Sequence, residues 1–147
     1  MIKKCLSCLI AVLLIGSYSC SQTKKTTSED INFEALNMHD GKMIVESVCV
    51  TCHDPDASVQ DRIAPPLEII KRNYLSISET ESEFIIRMTN FVVHPSPEEA
   101  MLHADVDEFG LMDPLGYSEQ DIQSVAMYIY RTELEHPDWM NSENEPE

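Results

Sequence analysis

The chain has 147 residues, 43% hydrophobic and 24% charged, enough for one compact domain and too few for two of ordinary size. Its 26 acidic residues against 10 basic ones give a formal charge of -16. That balance excludes ordinary binding to a nucleic-acid backbone, which needs clustered Lys and Arg to neutralise phosphates. It favours a partner with a basic docking patch, drawn in by long-range attraction.

In chain order, Lys3 and Lys4 precede the apolar run Leu9–Ile15, and Gly16-Ser17-Tyr18-Ser19 supplies a small-residue cleavage zone before Cys20. This is the pattern of an export signal over residues 1–19. A membrane span needs about 20 apolar residues, and this run is about half that length. Cys20 resembles the acceptor cysteine of bacterial lipoproteins, although Ser17 stands where that pattern usually has Leu. The resemblance implies a lipid anchor on Cys20 and an exported, membrane-anchored protein at the cell envelope. After cleavage only Cys20, Cys49 and Cys52 remain of the five cysteines, so in an oxidising compartment the use of the last two decides the function.

Residues 20–36 read as a flexible tether, polar and rich in Ser and Thr. The domain is expected over residues 37–133. It starts with a helix capped by Asp40 and passing through Gly41, Ile44 and Val48 to the cysteines. A polar loop from Asp54 to Arg62 follows, then Ala64-Pro65-Pro66-Leu67 and a short helix to about Asn73. Ser78 with Glu81 forms a capping-box signature ahead of Phe84, Ile85, Met88, Phe91 and Val92 at helical spacing. Ser96-Pro97-Glu98-Glu99 repeats the start signal for a short helix near Ala100 to His103, and Asp105 to Gly116 reads as loop. Ser118 and Asp121 box the start of a last helix with Ile122, Val125, Ala126 and Ile129 on its buried stripe. Residues 134–147 are acidic and Pro-broken and read as a largely disordered tail, with Trp139 as a residue able to pin part of it. No strand ladder is visible, so the expected fold class is all-α.

Cys49-Val50-Thr51-Cys52-His53 is a C-x-x-C-H pentad, which in an exported chain reads as a site of covalent c-type haem attachment. Thiols three residues apart can bond the two vinyl groups while the adjacent imidazole of His53 binds iron. Thioredoxin-like chemistry wants a βαβ context, and zinc wants a second Cys or His pair. A disulfide between Cys49 and Cys52 would leave His53 without a role.

With these residues the stretch from Met38 to Arg131 resembles the class I cytochrome c family, a small helical domain wrapped around one covalent haem. Gly41, eight residues before Cys49, matches the small residue at which that family's first helix is crossed by the last. Tyr128 matches the aromatic packed on that crossing. Ala64-Pro65-Pro66-Leu67 looks like the turn whose Pro carbonyl accepts the proximal imidazole Nδ1–H, which by that match makes Pro65 the residue that orients His53, consistent with the general need of ligating histidines for such an acceptor. Met112, in the loop Gly110–Gly116 ahead of the last helix, is similar to the family's sixth ligand, although Asp113 separates it from Pro114. Met101, His94 and His103 are its rivals, while Met88 and Met127 read as packing and His39 and His136 as surface residues. Ile63, Leu67, Leu75, Phe84, Met88, Phe91 and Leu115 form the expected apolar wall. Arg62, Arg72 and Arg87 read as surface charge or as partners of haem propionates.

The resemblance implies a monohaem electron carrier with His/Met-ligated iron, exchanging single electrons with redox protein partners rather than catalysing a reaction. The alternatives are an open-site haem enzyme or small-ligand sensor, and a fixed haem subunit of a larger oxidase or reductase.

Overall fold

The structure, a computed structural model, describes residues 31–142; the signal, Cys20 and the end of the acidic tail lie outside the described residues. Every regular element in it is helical, so the described chain is all-α. None of its helices is long and apolar enough to cross a membrane.

Helix α1 spans Met38–Ser47. Its cap is Asn37 rather than Asp40: the Asn37 side chain accepts from the His39 amide at 2.9 Å, and Asp40 sits inside the first turn, where a carboxylate complements the helix dipole. The folded region also starts earlier than the sequence suggests. Phe33–Ala35 forms a 3-10 turn, Ile31 and Leu36 pack against the core, and Gln120 Nε2 donates to the Ala35 carbonyl at 3.0 Å. Residues 31–36 are therefore docked chain rather than tether.

Helix α2 covers Leu67–Ile77, with Pro66 as its N-cap residue. It runs four residues past Asn73, and this displaces the next start signal. Ser78 becomes the C-cap of α2, and helix α3, Glu81–Val93, is capped by Thr80, whose hydroxyl accepts from the Glu83 amide at 3.2 Å. Glu83 in turn accepts from the Glu79 amide at 2.9 Å. The reciprocal capping logic survives, shifted by two residues, and Glu81 is freed to pair with Arg131 at 2.6 Å.

The segment from Pro95 onward departs most from the sequence reading. Ser96 starts only a turn, its carbonyl accepting from the Glu99 and Ala100 amides at 3.2 and 3.1 Å. Helix α4 is instead His103–Phe109, beginning where the short helix expected near Ala100 to His103 ends and running into the stretch expected to be loop. It stops at Gly110, whose φ of +86° is a conformation glycine adopts without strain. Helix α5, Glu119–Arg131, begins at the expected box: the Ser118 hydroxyl accepts from the Asp121 amide at 3.2 Å, and Asp121 accepts from the Ser118 amide at 3.2 Å. The Lys71 ammonium closes its far end by donating to the Thr132 carbonyl at 2.6 Å.

The core is built where α5 meets α1 and α3, with α2 against α3. Val45, Tyr74, Phe84, Ile85, Met88, Val125, Ala126, Met127 and Ile129 form one buried cluster with Leu67 at its edge. Phe84 sits edge-on to Tyr74 and to Tyr130, at centroid distances of 5.9 and 5.2 Å. Tyr128 is half-buried against the same cluster. Gly41 faces the α5 backbone so closely that an added Cβ would lie 2.6 Å from the Ser124 carbonyl carbon and 3.1 Å from the Val125 nitrogen. The Ser124 hydroxyl completes the crossing, accepting from the Asn37 amide at 3.1 Å and donating to the Gln120 carbonyl at 3.0 Å.

The segment after α5 is also more ordered than expected. Leu134 packs against the core, Pro137 and Met140 are buried, and Trp139–Ser142 forms a short helix, α6. The rest of the expected tail, residues 143–147, lies outside the described residues.

Candidate functional site

The pentad lies just past the end of α1, where the chain tightens into a 3-10 turn over Cys49–Thr51. The Cys49 carbonyl accepts from the amides of Cys52 and His53 at 3.2 and 2.9 Å, which folds the two thiol-bearing residues and the imidazole into one compact corner. Both cysteines are free thiols. They are not equivalent. Cys52 is exposed, whereas Cys49 is half-buried against the core, and burial reinforced by the neighbouring Cys52 pushes its thiol up to about 11, so it is protonated at neutral pH.

His53 is half-buried, and its Nδ1 lies 2.7 Å from the Pro65 carbonyl oxygen. A carbonyl can only accept, so Nδ1 carries the hydrogen and the Nε2 lone pair is left for a Lewis acid. Desolvation lowers the His53 pKa from its ordinary value, outweighing the opposite pull of the Pro65 hydrogen bond, and the ring is held in the neutral form that ligates metals. Pro65 and Pro66 are themselves buried at the start of α2, so the acceptor belongs to a packed corner rather than to a mobile loop.

The sixth-ligand candidates lie between residues 94 and 112. Met112 is half-buried in the segment Gly110–Tyr117, which has no helix or strand. Met101 is exposed, His94 is the exposed C-cap of α3, and His103 is the exposed first residue of α4. The expected apolar wall divides in two. Leu67, Phe84 and Met88 are buried in the core, and Phe91 is half-buried, whereas Ile63 is 64% exposed and Leu75 and Leu115 are 41% and 40% exposed. Leu111 joins the exposed set.

The three arginines also separate. Arg72 pairs with Glu68 and Arg87 with Glu83, each one helical turn away on its own helix. Arg62 is different: its guanidinium reaches Glu108 on α4 at 3.3 Å and lies 5.2 and 5.5 Å from the ring centroids of Phe109 and Trp139, with its Nε buried and without a hydrogen-bond partner. Sequence reasoning gave no signal for this cluster, because it joins residues 62, 108, 109 and 139.

Among the described residues no group of three or more His, Cys, Asp or Glu is arranged to hold a metal by itself. Two free thiols three residues apart and a neutral imidazole with Nδ1 already engaged are groups that could hold a covalent haem. No family model, curated protein or solved structure matches the chain.

Proposed function

We propose that the protein is a monohaem c-type cytochrome that carries single electrons between redox partners at the cell envelope. The observation that carries the reading is the 2.7 Å contact from His53 Nδ1 to the Pro65 carbonyl, immediately after a Cys-x-x-Cys pair of free thiols. A buried structural histidine also seeks an acceptor, but directly after a Cys-x-x-Cys pair the contact is the one a ligating histidine uses to fix tautomer and orientation and to strengthen Nε2 as a donor.

In this reading Cys49 and Cys52 anchor the group through thioethers, His53 is the proximal ligand and Met112 the distal one. Bound haem supplies a one-electron iron couple. A Met112 sulfur on iron would favour the reduced state relative to a second imidazole, and with His53 and Met112 both ligating there would be no open position for a substrate. Ile63, Leu75, Leu111 and Leu115 would exchange water for the porphyrin face, which accounts for large apolar groups otherwise exposed. The acidic surface selects a partner with a basic patch, with association slowing as salt rises. A lipid on Cys20 and the polar stretch after it would confine the domain near membrane-bound partners, raising their effective concentration.

Expression of the full chain in a host that matures c-type haem tests the reading. The expected result is a protein whose mass includes one haem that survives denaturation, and a Cys49→Ala, Cys52→Ala double variant without it. A folded wild-type chain of unmodified mass would refute the reading.

A further inference from the structure

The bond between His53 and Pro65 closes a loop, and the middle and far end of that loop are held from outside. Within it, Asp54 accepts from the Asp56 amide at 2.8 Å, and the Ser58 carbonyl accepts from the Asp61 and Arg62 amides at 3.2 and 3.1 Å. Two turns are thus formed locally, but local turns do not fix where the loop lies against the domain. That is done at two points. The Trp139 indole N–H donates to the Ala57 carbonyl at 3.1 Å, across 82 residues of sequence. Arg62, three residues before Pro65, lies against the rings of Phe109 and Trp139 and reaches the Glu108 carboxylate at 3.3 and 3.4 Å. Trp139 is itself seated between buried Pro137 and Met140, with the Met140 amide donating to the Pro137 carbonyl at 3.0 Å.

From this geometry we propose that the segment Pro137–Ser142 is a strap that sets the orientation of the His53 imidazole, with Trp139 and Arg62 as positioning residues acting through the Asp54–Arg62 loop and the Pro65 carbonyl. The role assigned to the imidazole rests on the reading under Proposed function; the mechanical link does not. A loop pinned at Ala57 and at Arg62 has fewer conformations to lose when its ends meet, so the His53–Pro65 bond forms at lower entropic cost and persists for more of the time. The C-terminal segment thereby tunes a ligand it never touches. The indole supplies two separable contacts. Its N–H holds Ala57, and its ring face holds the Arg62 guanidinium through a cation–π contact.

The test compares the wild-type full chain with Trp139→Phe, which keeps a ring for Arg62 and loses the donor to Ala57, and with Trp139→Ala, which loses both. In the haem-free chain, amide hydrogen exchange across Asp54–Arg62 is expected to accelerate at least tenfold in Trp139→Ala and less in Trp139→Phe, with α1 and α5 unchanged. The nitrogen-15 signature of the His53 ring is expected to move from one tautomer, with hydrogen on Nδ1, towards a mixture, in the same order of variants. Where the chain carries haem, the iron–histidine stretch is expected to shift in parallel. Faster loop exchange with an unchanged His53 ring signature would make the strap merely structural and overturn the proposal, as would unchanged exchange in both variants. Should Trp139→Ala fail to fold, Trp139→Phe alone decides between these results. A wild-type chain that folds but takes no haem would refute the reading under Proposed function, and the ring signature would still score the strap.

Discussion

The helical core and the layer of loops beside it obey different physical rules. In the core, Phe84, Ile85 and Ala126 have no solvent exposure, and α5 alone buries seven residues. In the loop layer, α4 buries none of its residues, and Ile63, Leu111 and Leu115 are between 40% and 64% exposed. Burial of apolar area stabilises the first region by itself. The second is held by a handful of directed contacts: the imidazole on a carbonyl, the indole on another, and a guanidinium against two rings. The difference teaches that the candidate site draws on both regions: Cys49 packs against the core and Pro65 is buried at the start of α2, whereas the loop between them is held by directed contacts.

The contrast can be broken most severely at Phe84. Phe84→Ala leaves a cavity between Tyr74 and Tyr130 and is expected to cost about 3–5 kcal/mol in urea unfolding of the haem-free chain. Gly41→Ala comes next. The new methyl would strike the Ser124 carbonyl, a backbone group that cannot step aside, so α1 and α5 must separate. The expected loss is about 2–3 kcal/mol, after the helix-propensity gain of roughly 1 kcal/mol for Ala is counted, visible as a fall in Tm on the order of 10 °C.

A pH series sharpens the comparison from the loop side. His53 is held neutral, its folded pKa lying below the unfolded value of 6.5. Below pH 6.5 the unfolded chain therefore binds a proton that the folded chain does not, and unfolding is favoured; above it both states are neutral and the penalty vanishes. Haem-free protein is expected to lose stability progressively as pH falls from about 6.5 to the lower folded pKa, and His53→Gln to lose that share of the pH dependence. The smallest effect on stability is expected at Ile63. Ile63→Ser should change haem-free unfolding by no more than about 0.5 kcal/mol, since the side chain is already 64% exposed, yet shift the reduction potential of the haem-loaded form.

The same division decides what was legible in the sequence. The all-α class and α5 were readable because Ser118 and Asp121 sit three residues apart ahead of a helical apolar stripe, so cap and period agree. The helix around Phe84 was readable for the same reason, but its cap was misplaced to Ser78, because α2 extends to Ile77 and consumes that serine, leaving Thr80 to do the work. Helix α4 lies later in the chain than the short helix expected near Ala100 to His103. Its N-cap Leu102 makes no side-chain capping bond and none of its side chains is buried, so neither signal existed to be read. The pentad and Pro65 were legible as a motif, and the structure adds the distance between His53 and Pro65. The clamp at Arg62 was not legible, because its members meet only in the folded chain, and no local pattern marks a contact between residues 57 and 139. Trp139 is the readable part of the expected tail: a lone Trp marks a residue able to pin it, and its indole does so at Ala57, while His136-Pro137-Asp138 looks irregular in isolation.

The central claim, an electron carrier with both axial positions of its iron filled, is tested most directly by optical spectra of the haem-loaded full chain with and without carbon monoxide, beside Met112→Ala. The account predicts the weak ferric band of a Met sulfur on iron in the wild type and a reduced spectrum that carbon monoxide leaves unchanged, with the band lost and carbon monoxide bound in the variant. A wild-type chain that lacks the band and binds carbon monoxide at once would contradict it, and would assign the protein to open-site haem chemistry instead.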